Sequence, residues 1–195
     1  MYIGNIEVIK MFLPARPTVM RAFGLSARHR RRSFAVLAKG IGVMDRGGGI
    51  RLAQAADEPA VRSCAKEAFE RYVAAIGQVP APMTADFAAL IRSGYVHVAI
   101  NGQGDVAGFI VFFQAGDHVL LETVAVRRNA AGRGIGKRLI ALCEAAAKRS
   151  GATSVQLYTN EKMTENLSIY PHLGYRETGR ATQDGFKRVF FEKRI

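Results

Sequence analysis

The run AGRGIGKRLI, residues 131–140, constrains the fold more than any other stretch of this chain. Before it stands LLETVAV (120–126), apolar and β-rich. After it Ile135, Leu139, Leu142, Cys143 and Ala146 recur on one helical face, with Lys137, Arg138, Lys148 and Arg149 mostly elsewhere, until Gly151 stops the pattern. A buried-type strand, SVQLYT (154–159), follows. Strand, glycine loop, helix and strand in that order form a crossover, which makes the two strands parallel. The glycines let the backbone approach a ligand, and a helix N-terminus behind them attracts an anion. Two common phosphate loops do not fit. A Walker loop finds Ala131 at its first glycine and Arg138 in place of the magnesium-binding hydroxyl. A dinucleotide fingerprint finds Lys137 or Leu139 at its last glycine.

Around this unit the chain is regular from about Gly49. GIRLAQA is a short strand, and Asp57, Glu58 and Pro59 open a helix whose apolar positions run from Val61 to Val73 and which stops at Gly77. PAPMTADFAALIRSG gives a proline-bearing loop and a shorter helix, capped by Thr84 and ending at Gly94. YVHVAI, DVAGFIVFFQ and HVLLETVAV form a meander whose first turn is Asn101-Gly102. Behind SVQLYT come a short helix around TENLSIY and a strand pair turning at Asp184-Gly185. Phe112, Phe113, Phe190 and Phe191 alternate in strands, so one of each pair belongs to the core. The expected order is β-α-α-β-β-β-α-β-α-β-β. It is an α/β (α+β) fold with a mixed, mostly antiparallel sheet, a central parallel strand pair and about four flanking helices.

Composition narrows the function classes. Of a net charge of +12, the first 47 residues carry +7, with nine Lys or Arg against two acids and the run RHRRRSF at 28–34. Residues 1–47 therefore read as a basic N-terminal extension and 48–195 as the folded domain. For the extension the readings are an unfolded appendage or start-site artefact, Met44 standing just before the domain, a nucleic-acid or membrane-surface arm, and an organellar transit peptide. Cys64 and Cys143 have neither C-x-x-C nor His-Cys spacing, which indicates no disulfide framework and no metal site. The longest apolar stretches are broken by glycine and fall short of a bilayer span. A cytoplasmic location is the expectation.

LETVAVRRNAAGRGIGKRLI (121–140) and TENLSIYPHLGYRETGR (164–180) together resemble two motifs of the GNAT superfamily of N-acetyltransferases, and residues 50–195 follow its element order. The first resembles the acyl-CoA motif, Gln or Arg, two residues, Gly, one residue, then Gly or Ala. Gly134 and Gly136 match it, and Ala131 departs from it by removing a side chain while leaving the backbone donors. The resemblance implies acetyl-CoA as co-substrate. Its pyrophosphate would lie on Gly132, Arg133, Gly134, Ile135, Gly136 and Lys137, and its pantetheine along Val124, Ala125 and Val126, with Asn166 near the arm or capping its own helix. It implies no membrane partner, makes nucleic acid an unfavoured one, and adds homodimerisation, which is common in the family.

By the same resemblance Tyr170 is the general acid for the departing CoA sulfur, against the plainer reading of an aromatic at a helix end. Pro171 follows it directly and disfavours helical geometry there. Glu122 interrupts an apolar strand, where a carboxylate is paired, protonated or functional. It is the candidate base, and equally a structural partner of an arginine or of backbone amides. His97, His118 and His172 read as structural, and Arg127 and Arg128 as CoA-phosphate contacts or a solvated surface. The acceptor, an unidentified amine on a small molecule or a protein, would meet the first two helices, the PAPMTADF loop and the last hairpin. The competing readings are an acyl-CoA sensor without turnover and a nucleic-acid-binding module using the basic arm.

Overall fold

The computed structural model describes residues 48–195, so the basic segment 1–47 lies outside the described residues. Seven strands form one sheet in the order β1-β2-β3-β4-β5-β7-β6. They are β1 (Ile50–Leu52), β2 (Val96–Ile100), β3 (Val106–Ala115), β4 (His118–Val126), β5 (Ser154–Asn160), β6 (Arg176–Gln183) and β7 (Phe186–Arg194). Neighbours pair antiparallel except β4 with β5, which are parallel. Helix α1 (Glu58–Phe69) continues through a 3-10 turn, Glu70–Tyr72, into a last helical turn, Val73–Ile76. Helices α2 (Phe87–Arg92), α3 (Ile135–Ser150) and α4 (Thr164–His172) complete the domain. No helix among the described residues is long and apolar enough to cross a membrane.

Two cores lie on opposite faces of the sheet. Leu139, Cys143, Ala146 and Ala147 of α3 join Ile110, Phe112, Val119, Leu121, Val155, Leu157 and Phe191 on one face, with Tyr170 of α4 beside them. Val61, Cys64 and Ala65 of α1 and Phe87 and Ile91 of α2 cover Val96, Val98, Phe109, Val111 and Ala125 on the other. Phe112 and Phe191 are the core member of each phenylalanine pair. The apolar face expected for α3 is the one it buries, and Gly151 ends it with φ +73°.

Local chemistry departs from expectation at three places. Thr84 does not cap α2. Its hydroxyl donates to the Ala81 carbonyl at 3.2 Å, closing the preceding 3-10 turn, and Asp86 is the cap, accepting from the Ala89 N–H at 2.9 Å. Asn101-Gly102 does open the hairpin between β2 and β3, and Asn101 Oδ1 holds its loop by accepting from the N–H groups of Gln103 and Asp105. Pro171 sits inside α4 and leaves Tyr170 helical. Its ring removes one amide only in the last turn, where few bonds remain to lose. Arg127 is held within the protein and is not a solvated residue. Its guanidinium donates to the carbonyls of Val106 (2.8 Å) and Ala60 (3.1 Å) and meets Glu67 at 3.2 Å. Glu67 also accepts from the Arg128 N–H at 2.7 Å, so this group clamps α1 to the end of β4. Asp184 (φ +52°) and Gly185 (φ +79°) do form the tight turn between β6 and β7.

Candidate active site

The site begins with a defect in β4. Val111 of β3 stands opposite Thr123 while Phe112 stands opposite Leu121, so Glu122 is one residue too many on its strand. This bulge re-phases the strand. Val119 and Leu121 face the α3 core, and beyond the bulge Val124 and Val126 face it instead, while Ala125 turns to the α1 core. The parallel pairing with β5 ends in the same place, at Leu121 opposite Leu157. From there β4 pairs only with β3 and β5 only with β7. The two strands diverge, and the β5-facing edge of residues 122–126 is left without a strand partner among the described residues.

Where β4 ends, the glycine loop supplies a row of donors. Gly134 caps α3 in the left-handed region, φ +72°, with no side-chain cap, and Gly132 has φ +75°. Among the described residues the N–H groups of residues 132–137 meet no acceptor, and the first closed bond of the helix is from the Arg138 N–H to the Gly134 carbonyl, 3.0 Å. A Cβ at Gly132 or Gly134 would meet nothing within 4 Å, so the loop is open outward. Converging bare amides at a helix N-terminus are what a pyrophosphate needs. The residues present fit that group without help from a side chain at Ala131.

The gap between β4 and β5 widens into a cleft of about 650 Å³, partly open to solvent. Glu122, Thr123 and Val124 of β4 line it on one side and Tyr158, Thr159 and Asn160 of β5 on the other, with Asn166 and Tyr170 of α4. Phe69 and Ile76 from the first helical segment, Pro80, Ala81 and Pro82 from the next loop, and Phe186 and Arg188 of β7 close the far wall. Of the regions expected to meet an acceptor, the first helical segment, the proline-bearing loop and the last hairpin line this cleft, and α2 does not. Across the cleft, the Tyr72 hydroxyl donates to Glu165 at 3.0 Å and Arg71 pairs with Glu165 at 3.3 Å, which ties the end of the first helical segment to α4.

Glu122 and Tyr170 thus line one cleft. No ion pair or hydrogen bond to the Glu122 carboxylate occurs among the described residues, and desolvation by burial raises its pKa above the ordinary carboxylate value. Its structural-partner reading finds no partner there. Tyr170 is buried against Tyr175 (5.9 Å between centroids) and Phe191 (5.5 Å), and burial pushes its hydroxyl up to about 12. Asn166 does not cap α4, since Met163 holds that position; its Nδ2 donates to Thr159 Oγ1 at 3.0 Å. None of His97, His118 and His172 lines the cleft, and no group of three or more His, Cys, Asp or Glu among the described residues could hold a metal ion.

Sequence reasoning missed Tyr158 and Arg188. Burial raises the Tyr158 pKa, with the Arg188 guanidinium working against it. A signal for Arg188 existed. In FKRVFF the period of two puts Arg188 on the face of Phe186 and Phe190, opposite the core residues Val189 and Phe191, so a cation was due between two aromatic rings.

The sheet parts beside a bare amide row and a cleft lined by a carboxylate and a phenol, the layout of an acyltransferase. The family model described as Acetyltransferase (GNAT) family matches residues 59–175, and the chain belongs to that family. Three solved structures illustrate the likeness. PaiA N-acetyltransferase from Thermoplasma acidophilum, in complex with coenzyme A, is 18% identical with a TM-score of 0.63, over 75% of this chain and 98% of that one. The ribosomal-protein-S18-alanine N-acetyltransferase from Escherichia coli is 18% identical with a TM-score of 0.59, over 75% and 92%. Nourseothricin acetyltransferase is 24% identical with a TM-score of 0.48, over 51% of this chain and 64% of its own length. The first two share the fold. No curated protein is a significant match to this sequence.

Proposed function

We infer that this chain transfers an acetyl group from acetyl-CoA to a primary amine by direct attack, with both substrates bound together. The observation that carries this reading is the unpartnered amide row of residues 132–137 at the mouth of the parted strands. Gly132, Arg133, Gly134, Ile135, Gly136 and Lys137 would hold the pyrophosphate through backbone N–H groups. Val124, Ala125 and Val126 would pair with the pantetheine as a strand pairs with its neighbour. With its Nδ2 engaged by Thr159, Asn166 offers its Oδ1 to the same arm. Acetyl-CoA supplies the acetyl group as a thioester, activated toward amines.

The chain's own contribution is proton placement and exclusion of water. An amine attacks only when neutral, so an ammonium acceptor must give up a proton. The Glu122 carboxylate takes it, directly or through water, and a raised pKa brings this base nearer neutrality. On the other side of the cleft Tyr170 keeps its proton at any working pH and presents Oη to the departing sulfur. The apolar wall of Phe69, Ile76, Pro80 and Phe186 keeps water from competing with the amine.

Calorimetric titration of acetyl-CoA into the full chain, with ATP and NAD as controls, tests the binding half of the reading. Selective binding with a Kd of about 1–100 μM is expected. Thiol release from acetyl-CoA in the presence of an amine panel tests the catalytic half. A folded chain that binds no acetyl-CoA refutes the reading.

A further inference from the structure

The acceptor wall of the cleft carries a cation with weak partners. Arg188 is 5% exposed. Its Nη1 donates to Gln183 Oε1 at 3.3 Å, and its Nη2 lies 3.5 Å from Asp184 Oδ2, a carboxylate whose side chain is 61% exposed. Both contacts are at the outer limit of hydrogen bonding. The guanidinium also rests on two rings, 4.3 Å from the Tyr158 centroid and 6.0 Å from that of Phe186. A buried guanidinium has five N–H donors in a planar fork suited to an oxoanion, and desolvating it without a close partner is costly. Within the same cleft Glu122 offers a carboxylate. The lining thus sets one negative and one positive group in a largely apolar space.

We propose that Arg188 forms an anion subsite and that the acceptor is a small amino-carboxylate with an apolar side chain, its carboxylate on the Arg188 guanidinium and its amine toward Glu122. This rests on the acetyltransferase reading above and narrows its substrate class. Polyamines are disfavoured, because a second cation would approach a buried guanidinium. Asp184 plays the weak competitor. It fills the anion position at long range from the solvent side, and a bound carboxylate displaces it at little cost.

The test compares matched amines on the full chain with acetyl-CoA: L-phenylalanine, L-phenylalaninamide, phenethylamine and spermidine. The expected result is a kcat/KM at least tenfold higher for phenylalanine than for the amide or phenethylamine, with spermidine lowest. Arg188→Met collapses that ratio and Arg188→Lys retains part of it. Asp184→Asn changes an exposed side chain and keeps a residue that accepts positive φ. It lowers KM for phenylalanine about two- to fivefold by removing the competing charge, whereas a merely structural Arg188 leaves that KM unmoved. Equal or better turnover of phenethylamine or spermidine overturns the subsite while the acetyltransferase reading stands. Transfer to no panel member by a chain that binds acetyl-CoA also overturns the subsite. Failure to bind acetyl-CoA at all overturns the reading beneath it.

Discussion

Replacing His97 by leucine should change how the stability of this protein depends on pH. His97 on β2 is 2% exposed, and its ring stacks on Phe112 with centroids 5.0 Å apart and planes 13° apart. Neither ring nitrogen has a hydrogen-bond partner among the described residues. Burial without a partner penalises the imidazolium and pushes the pKa from 6.5 down to about 4. Between those values the unfolded chain binds a proton that the folded chain refuses. The stability contribution is therefore complete above about 6.5, falls as the pH drops, and is gone below about 4. At ~1.36 kcal/mol per pH unit, the difference is about 3 kcal/mol. Urea unfolding followed by circular dichroism, at steps from pH 7 to pH 4, measures it. Glu122 titrates in the opposite sense, its raised pKa favouring the folded state at low pH, and Asp57, Glu165 and Glu177, with lowered values, lose stability toward acid. All four are common to both proteins and cancel in the comparison. The H97L protein should be the more stable at pH 7, where two unpartnered nitrogens are no longer buried. Its advantage should widen by about 3 kcal/mol on going to pH 4. A gap constant with pH refutes the argument, because it means that His97 titrates alike in both states.

Tyr170→Phe should lower kcat by about 100-fold with the acetyl-CoA Kd nearly unchanged, read by steady-state kinetics beside calorimetry; equal losses in both would make the hydroxyl a binding group. For Glu122, the base must be ionised to act, so wild-type kcat/KM should rise with pH through a value above the ordinary carboxylate range. Glu122→Gln should flatten that limb and cost about 100-fold in rate, and an unchanged pH profile would remove Glu122 from the reaction. Gly134→Ala puts a Cβ on a residue with φ +72°, which should cost about 1–2 kcal/mol in urea unfolding and weaken acetyl-CoA binding. Unaltered stability would contradict the left-handed cap.

Much of the fold was legible because it rests on periodicity within single segments. The α3 face, the crossover into β5 and the Asp184-Gly185 turn each depend on residues adjacent in the chain. Features defined by a distant partner were not legible. The bulge at Glu122 exists only in relation to Val111 and Phe112 of β3, and TVAV reads the same with or without it. Arg127 finds Glu67 sixty residues away, so its clamp could not be read from the Arg-Arg pair. Thr84 and Asp86 are both good caps by type, and only the backbone path decided between them. At the site, Glu122 stood out as a carboxylate in an apolar strand and Tyr170 through the family resemblance alone, whereas Tyr158 looks like an ordinary strand aromatic until the sheet parts beside it.

The bulge also separates what may vary at Glu122 from what may not. Because this residue is surplus to the pairing with β3 and its carboxylate has no hydrogen-bond partner among the described residues, substitution there exchanges chemistry without breaking a cross-strand pair. Deletion is another matter. Removing the residue would leave Leu121 opposite Phe112 and Thr123 opposite Val111 in one continuous ladder, so Val124 and Val126 would keep the α3 face while the strand lost the bend that a bulge gives it beside β5. A lineage exploring new acceptors could therefore rewrite the letter at this position many times, provided that it never lost the space in which the letter stands.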